Sequence, residues 1–553
     1  MTQDSDSSRL VVEVSRRGRL ITGDPYFTPG VPVVLDAKGI GDVENGDLVV
    51  VRTGRGRAKL EERIGPADRI ESVLEALLVE RGAREPFEAH GVPPLDDPNR
   101  VDLRDMLTYT IDPDTAKDFD DALSFRREAD GIRAWVHIAD VSWFVSAGTP
   151  LDRGAARRAL STYVPGTVAP MLPHELADDL CSLRRNQDRL CVTVEIPPNG
   201  EPLFYRSTIR SDARLTYGEA ERREGSPEVL EVLALNDELA QRLRKARFDR
   251  GALQVETPEV MFRFDGKGGV ADAWLESEPH AHVLVEELMI LANEKVGEFL
   301  SSRNREALYR VHEKPDPTSI EQLLAKLANL KVPTPAAPKR MTPQQAATLA
   351  GEISKRVADY VAHSGRGRWA FPSLVLRALK QARYDPQNLG HSGLASTAYC
   401  HFTSPIRRYP DLVVHRALLH ELGLSDERVP KNLQSLAEHT SEREREAGKI
   451  EYLADDICLA WLLDRLLYER GWEEKWEGEI AGVIASGLFI RFGDVFEGFL
   501  PARRLPGEYF EINTLGTALE GRQTRRTYRL GDPIEVRVQS IARNEGKVEL
   551  AQA

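Results

Sequence analysis

Residues Thr110 to Ala122 read T-I-D-P-D-T-A-K-D-F-D-D-A and place five aspartates, Asp112, Asp114, Asp118, Asp120 and Asp121, within ten residues. Any fold that takes up this run must answer its charge, because like carboxylates repel and an unpaired buried charge is expensive. Apolar residues flank it, Ile111 before and Ala122 and Leu123 after, and the segment from Trp135 to Val141 alternates like a strand. The stretch therefore reads as half-buried. A hard divalent cation among the carboxylates resolves the repulsion, and one or two such ions could activate water and stabilise charge in a phosphoryl transition state. A structural cation site and a solvated Asp/Pro turn are the alternatives. A calcium EF-hand loop fails, since Lys117 stands at the glycine position and Leu123 at that of the final bidentate glutamate.

The chain has 553 residues, 41% hydrophobic and 29% charged, enough for a sizeable core and roughly three to four domains. Its formal net charge of -13 excludes passive adhesion to nucleic acid but not a basic channel within an acidic protein. The four cysteines, Cys181, Cys191, Cys400 and Cys458, form no C-x-x-C pair and match no zinc spacing. They read as reduced thiols of a cytoplasmic protein. There is no signal-peptide pattern, and no apolar run approaches the ~18 residues of a membrane span. No membrane association and no obligatory protein partner is expected.

Residues 1–8 read as disordered. From Arg9 to Ile64 short apolar runs alternate with turn signals such as Gly39 to Gly41, which predicts a small β-barrel of the OB or cold-shock kind, with Arg16, Arg17 and Arg19 as bases. A helix follows over about 70–81. The domain reading is 1–84 for this unit, 85–100 for a Pro-rich linker, 101–472 for a central domain and 473–553 for a second small barrel. In the central domain strands precede helices, the pattern of an α+β domain with helices to one side of a sheet. Helical candidates are about 151–160, 228–248, 281–302, 317–330, 342–363, 406–422 and 430–470. In the last barrel Phe489, Phe492, Phe496 and Phe499 lie near Arg491, Arg503 and Arg504. That mixture suits single-strand binding, although each phenylalanine taken singly reads as core.

Two further stretches carry chemistry. Tyr163, in T-Y-V-P-G, could present a ring to a base or pack in the core. In the run from Thr403 to Asp411, Arg407 and Arg408 follow a Ser-Pro turn at a helix start, where planar guanidinium groups and a helix N-terminus both favour phosphate. An Arg407–Asp411 surface pair is the plainer reading. His282 and Glu286 share a helix face without completing a zincin pattern. The run Glu442 to Glu446 reads as a solvated helix face, and Glu451 heads a more apolar helix after it.

Together these stretches resemble the ribonuclease II / ribonuclease R (RNB) family of exoribonucleases. The aspartate run is similar to that family's acidic motif. T-Y-V-P-G with M-L-P-H-E-L-A-D-D-L-C-S-L-R is similar to its next block, and H-F-T-S-P-I-R-R-Y-P-D-L to its late arginine block. The resemblance covers about residues 101–470 and extends to an S1-type OB barrel at the C-terminal end. It implies processive 3′→5′ hydrolysis of single-stranded RNA to nucleoside 5′-monophosphates with magnesium, manganese being the alternative. Carried over by motif position, Asp112, Asp118, Asp120 and Asp121 hold the metal. Asp120 and Arg407 are catalytic, and Tyr163, Arg407, Arg408 and Glu451 contact RNA, Tyr163 by stacking on the 3′-terminal base. Asp114 receives no role. The chain departs from the family in having room for one N-terminal barrel instead of two, and it lacks a lysine-rich tail. The competing readings are a catalytically silent RNA-binding regulator of the same fold and a metal-dependent phosphatase.

Overall fold

The computed structural model of the chain describes residues 9–18, 20–36, 41–54, 56–95, 97–255, 258–276 and 279–553. The expectations for residues 1–8, Arg19 and Gly39 lie outside the described residues.

The N-terminal strands alternate faces, as the period of a strand requires. Val12, Val14, Val49 and Val51 point into a small core with Leu35, Val43 and Ala58. Val11, Leu48 and Val50 point the other way, onto Ile70, Val73, Leu74 and Leu77 of the helix Ile70–Glu80. Two-sided burial explains why Leu48 to Val51 is a continuous apolar run. The five strands pair in an antiparallel order, and a parallel bridge between Leu35 and Ala58 joins the outer strands. Glu80 ties the helix back to this unit by accepting from the Val11 amide at 2.7 Å.

The central sheet has seven strands, in the order Ala213–Thr216, Tyr109–Asp112, Asp121–Glu128, Gly131–Ala139, Asp188–Ile196, Leu203–Arg210 and Val101–Asp102. The outermost pairings are parallel and the inner ones antiparallel. Leu123, Phe125, Val136 and Ile138 face the long helices Pro227–Asp249 and Pro279–Ser302. The expectation of helices on one side is corrected here. Ala122, Ala139 and Cys191 face a second core, closed by the helices Val141–Phe144 and Pro150–Arg158, by a π-turn over Glu175–Leu180, and by Leu412 and Val413 of the helix Tyr409–Glu421 with Leu433 and Leu436 of the helix Leu433–Arg470. Of these, only Val141–Phe144 and Glu175–Leu180 are too short to leave a helical period.

Helix starts follow their capping chemistry. Proline stands in the first turn of the helices starting at Pro150, Pro227, Pro317 and Pro343, behind the side-chain caps Thr149, Ser226, Asp316 and Thr342. The helix Leu433–Arg470 runs unbroken for 38 residues, about 57 Å at the α-helical rise. Glu451 therefore sits in mid-helix and does not head a new one. Ile457, Trp461 and Leu463 of this helix share one core with Val73 and Leu77 of the N-terminal unit and Ile490 and Leu550 of the C-terminal barrel, so the helix is the spine that joins them.

The C-terminal barrel is closed, in the strand order Trp476–Ile484, Gly487–Phe492, Phe496–Pro501, Lys547–Gln552 and Pro533–Ala542. Phe492 and Phe496 are core, whereas Phe489 is 37% exposed and pairs with the half-buried Phe499 at a centroid distance of 5.2 Å. All four cysteines are buried and free.

Candidate active site

Asp112 ends one central strand and Asp121 begins its antiparallel neighbour, so the chain leaves the sheet at Pro113 and returns eight residues later. This topology gathers the carboxylates at one edge of the sheet. Asp120 is 4% exposed. Its Oδ1 accepts from the Ile406 amide at 2.8 Å and its Oδ2 lies 3.5 Å from Arg407 Nε. Asp112 has a buried Oδ2 that no protein group hydrogen-bonds. Burial, and then the charge of Asp121, pushes the Asp112 carboxyl up to about 8. Burial also raises Asp121, to about 6, against the pull of Arg407 and Arg408. Asp120 is raised by burial as well, although Arg407 opposes it. Asp114 is exposed on the loop.

The second segment is the hairpin Thr162–Val164 with Thr167–Ala169. Its Tyr163 reaches back to the acid loop, the phenol donating to Asp118 Oδ2 at 2.5 Å. The Tyr163 amide donates to Glu451 Oε1 at 2.8 Å, which brings in the long helix. Burial raises the Glu451 carboxyl above its ordinary value.

The arginine turn is the third segment. It precedes the helix Tyr409–Glu421 and is stitched to the chain beside the hairpin, where the Ser161 amide donates to the Arg407 carbonyl at 2.9 Å and the Tyr409 amide to that of Ala159 at 2.8 Å. The two arginines part company here. Arg408 forks onto buried Asp411 through two hydrogen bonds of 2.9 Å, while Arg407 faces Asp120, with Nη2 also donating to Ser404 Oγ at 3.3 Å. Asp411, paired in the sequence reading with Arg407, is thus the partner of Arg408, and it also accepts from the Ser404 amide.

Tyr217 is a neighbour that the sequence did not single out. It stacks on His282 at 3.9 Å, and its phenol is held up by burial and by the charges of Asp121 and Asp112. Its only signal in the sequence is the capping box that opens at Thr216. His282 itself lies 3.0 Å from Glu276, and Glu287 is buried against Arg247.

An RNB domain model matches residues 100–423, which is more than half of the chain. The chain belongs to the RNB domain family. Among curated relatives in that family, ribonuclease R of Escherichia coli (strain K12) is 35% identical over 481 residues, covering 82% of this chain and 57% of that protein. Ribonuclease R of Thermotoga maritima is 34% identical over 525 residues, covering 89% and 72%. The chain thus spans little more than half the length of the Escherichia coli relative. Among solved structures, Mycoplasma genitalium RNase R in complex with ribose-methylated single-stranded RNA aligns with a TM-score of 0.86 at 23% identity, over all of this chain and 90% of that one. Yeast Ssd1, described as a pseudonuclease, aligns at 0.68 with 17% identity, over 94% and 68%. At these identities the likeness is one of fold. Among the described residues, no helix is long and apolar enough to cross a membrane.

Proposed function

We propose that the protein is a metal-dependent hydrolase that removes nucleoside 5′-monophosphates processively from the 3′ end of single-stranded RNA. The observation that carries this reading is the convergence of Asp112, Asp118, Asp120 and Asp121 with Arg407 and Tyr163, drawn from three distant segments.

The donors suit a hard cation, being carboxylate oxygens that are half-buried or buried, with Asp121 close enough to raise the Asp112 carboxyl and the Asp112 Oδ2 unpartnered. Among the described residues no three His, Cys, Asp or Glu side chains form a ready-made cation cage. Asp118 and Asp120 are engaged instead by Tyr163, Ile406 and Arg407. Asp112, Asp118, Asp120 and Asp121 would hold magnesium, or manganese in its place, which supplies Lewis acidity and an activated water.

The remaining work falls to the chain. The Ile406 amide fixes the Asp120 carboxylate. Arg407 presents a guanidinium to the scissile phosphate and to the charge that develops on it. Arg408 supports that turn from behind through Asp411. The Tyr163 ring, 38% exposed, offers a stacking face for the terminal base, and Glu451 anchors its backbone. Stacking bases singly requires a single strand.

The test is a denaturing-gel time course on 5′-labelled poly(A), with magnesium and with EDTA. The reading expects full-length RNA to give way to a short end product without a ladder, and only with metal. Retained gel shift without cleavage in magnesium or manganese would instead support the silent-binder reading, which the description of Ssd1 as a pseudonuclease keeps in view. The intact set of carboxylates with Arg407 favours the hydrolase.

A further inference from the structure

We propose that Ser182 and Arg214 form a two-point brace on the acid loop and are positioning residues for the cation its carboxylates would hold. The role of that cation rests on the functional reading above; the brace rests on geometry.

The loop Pro113–Asp120 has no strand or helix of its own. Its one internal backbone hydrogen bond runs from the Ala116 amide to the Pro113 carbonyl. Carboxylates that repel would open such a segment, so its shape must come from outside.

Arg214 holds the first end. It lies on the strand Ala213–Thr216, opposite Thr110 of the strand that leads into the loop. Its Nη2 donates to the Pro113 carbonyl at 2.6 Å and to that of Asp114 at 3.1 Å, and its guanidinium lies 5.6 Å from the Phe119 ring. A single cation thereby fixes two successive carbonyls just past Asp112.

Ser182 holds the second end. Its hydroxyl donates to the Lys117 carbonyl at 2.6 Å and accepts from the Phe119 amide at 3.0 Å, and the residue is wholly buried. Both neighbours of Asp118 are therefore tied to one oxygen. The next residue continues the seam, with the Leu183 amide donating to the Phe119 carbonyl at 2.9 Å. A hydroxyl serves here because it donates and accepts at once. Alanine would take this partner from the Lys117 carbonyl and the Phe119 amide, both part-buried. Between the two holds Thr115 and Ala116 have only the Ala116–Pro113 backbone hydrogen bond to fix them, so the separation of Asp112 from Asp118 is set by the sheet on one side and by the segment after the π-turn on the other.

Magnesium demands near-ideal octahedral geometry, and groups that orient ligands from behind typically change metal affinity ~10–100-fold when lost. The experiment uses the full chain stripped of metal, with hydrogen exchange followed by mass spectrometry and Mn2+ binding followed by electron paramagnetic resonance. Ser182→Ala and Arg214→Gln are expected to speed exchange in the peptide covering 113–122, while the strand Gly131–Ala139 keeps its protection. Both should weaken Mn2+ binding ~10-fold or more, with RNA affinity in EDTA unchanged. Ser182→Thr, which keeps the hydroxyl, should restore loop protection and Mn2+ affinity. The brace is overturned if both variants leave loop exchange and Mn2+ affinity as in the wild type. It is also overturned if exchange rises throughout the sheet and Ser182→Thr restores nothing, since that marks a merely structural residue. A wild type that binds Mn2+ and shows these variant effects but leaves RNA intact would sustain the brace and remove the hydrolase reading.

Discussion

Tyr163 donates its phenolic hydrogen to Asp118 Oδ2 at 2.5 Å, so the residue that offers a stacking face also touches the acid loop. The two roles separate by substitution. Tyr163→Phe keeps the ring and loses the hydrogen bond, whereas Tyr163→Ala loses both. Stacking of a base on an aromatic ring is worth ~1–3 kcal/mol, or about 5–150-fold in affinity. Tyr163→Ala is expected to weaken binding of a short single strand by that factor, and Tyr163→Phe to leave it within about threefold. Fluorescence anisotropy in EDTA measures both, and equal losses would remove the stacking role.

Asp120→Asn should separate catalysis from binding. The asparagine oxygen can still accept from the Ile406 amide, so the turn that carries Arg407 stays in place. The charge that faces Arg407 is lost. Hydrolysis should fall below detection while RNA affinity holds within about threefold. Removing a preorganised donor to developing charge costs ~10²–10³ in kcat, and Arg407→Ala is expected to show a loss of that size in single-turnover rates. A fully active Asp120→Asn protein would sink the metal assignment.

Much of this site was legible because its residues come in runs whose chemistry is local. Asp112 to Asp121 announces itself by charge, and Arg407 with Arg408 by a turn before a helix. Residue chemistry alone could not say which arginine faces the acid loop, and only the family resemblance pointed to Arg407. That choice is decided by Asp411, which forks onto Arg408 three residues before it. Nor could it find Ser182 or Arg214, whose contacts reach across 65 and 101 residues. A lone serine and a strand arginine carry no periodic signal. The fold was legible where burial is one-sided or two-sided over several residues, as in Leu48 to Val51. The second face of the central sheet was hidden because the helices Pro150–Arg158, Tyr409–Glu421 and Leu433–Arg470 that cover it carry no local sign of which face they pack on, and the four-residue helix and the π-turn beside them leave no period.

Asp140 holds the start of the central domain to its sheet. It follows the strand Gly131–Ala139 and is fully buried, with Arg100 Nη2 at 2.7 Å, Arg206 Nε at 3.0 Å and the Ser142 hydroxyl at 2.5 Å. Burial pushes its carboxyl up, but Arg206 and Arg100 outweigh it and hold the group below the usual range. Breaking a buried pair from one side leaves an uncompensated charge at ~3–5 kcal/mol. The Arg100 side chain is only 1% exposed and has little access to water. Asp140→Ala is therefore expected to lower the urea midpoint strongly without altering RNA affinity in the folded fraction. An unchanged midpoint would show that Asp97, 3.1 Å from Arg100 Nε, carries the charge alone.

The acid cluster should give the metal-free protein an unusual pH dependence. Asp112 is pushed up to about 8 and Asp121 to about 6, burial being the main cause for each. An unfolded aspartate titrates near ~3.9. Between these limits the folded chain binds more protons than the unfolded one, so stability falls as pH rises through the window from about 4 to about 8. That slope is opposite to the one a salt-bridged aspartate gives. Asp455 and Asp456, raised to about 7 and 6 by burial and neighbouring acids, add to the same slope. Asp112→Asn with Asp121→Asn isolates the site's share. In EDTA the wild-type Tm should fall from pH 5 to pH 8, and the double variant should fall less. Magnesium should restore the wild type most at the upper end, since cation binding displaces the same protons, and should leave the double variant unmoved. A wild-type Tm that stays flat or rises in EDTA, or a magnesium effect that survives in the double variant, would move the cation away from these carboxylates.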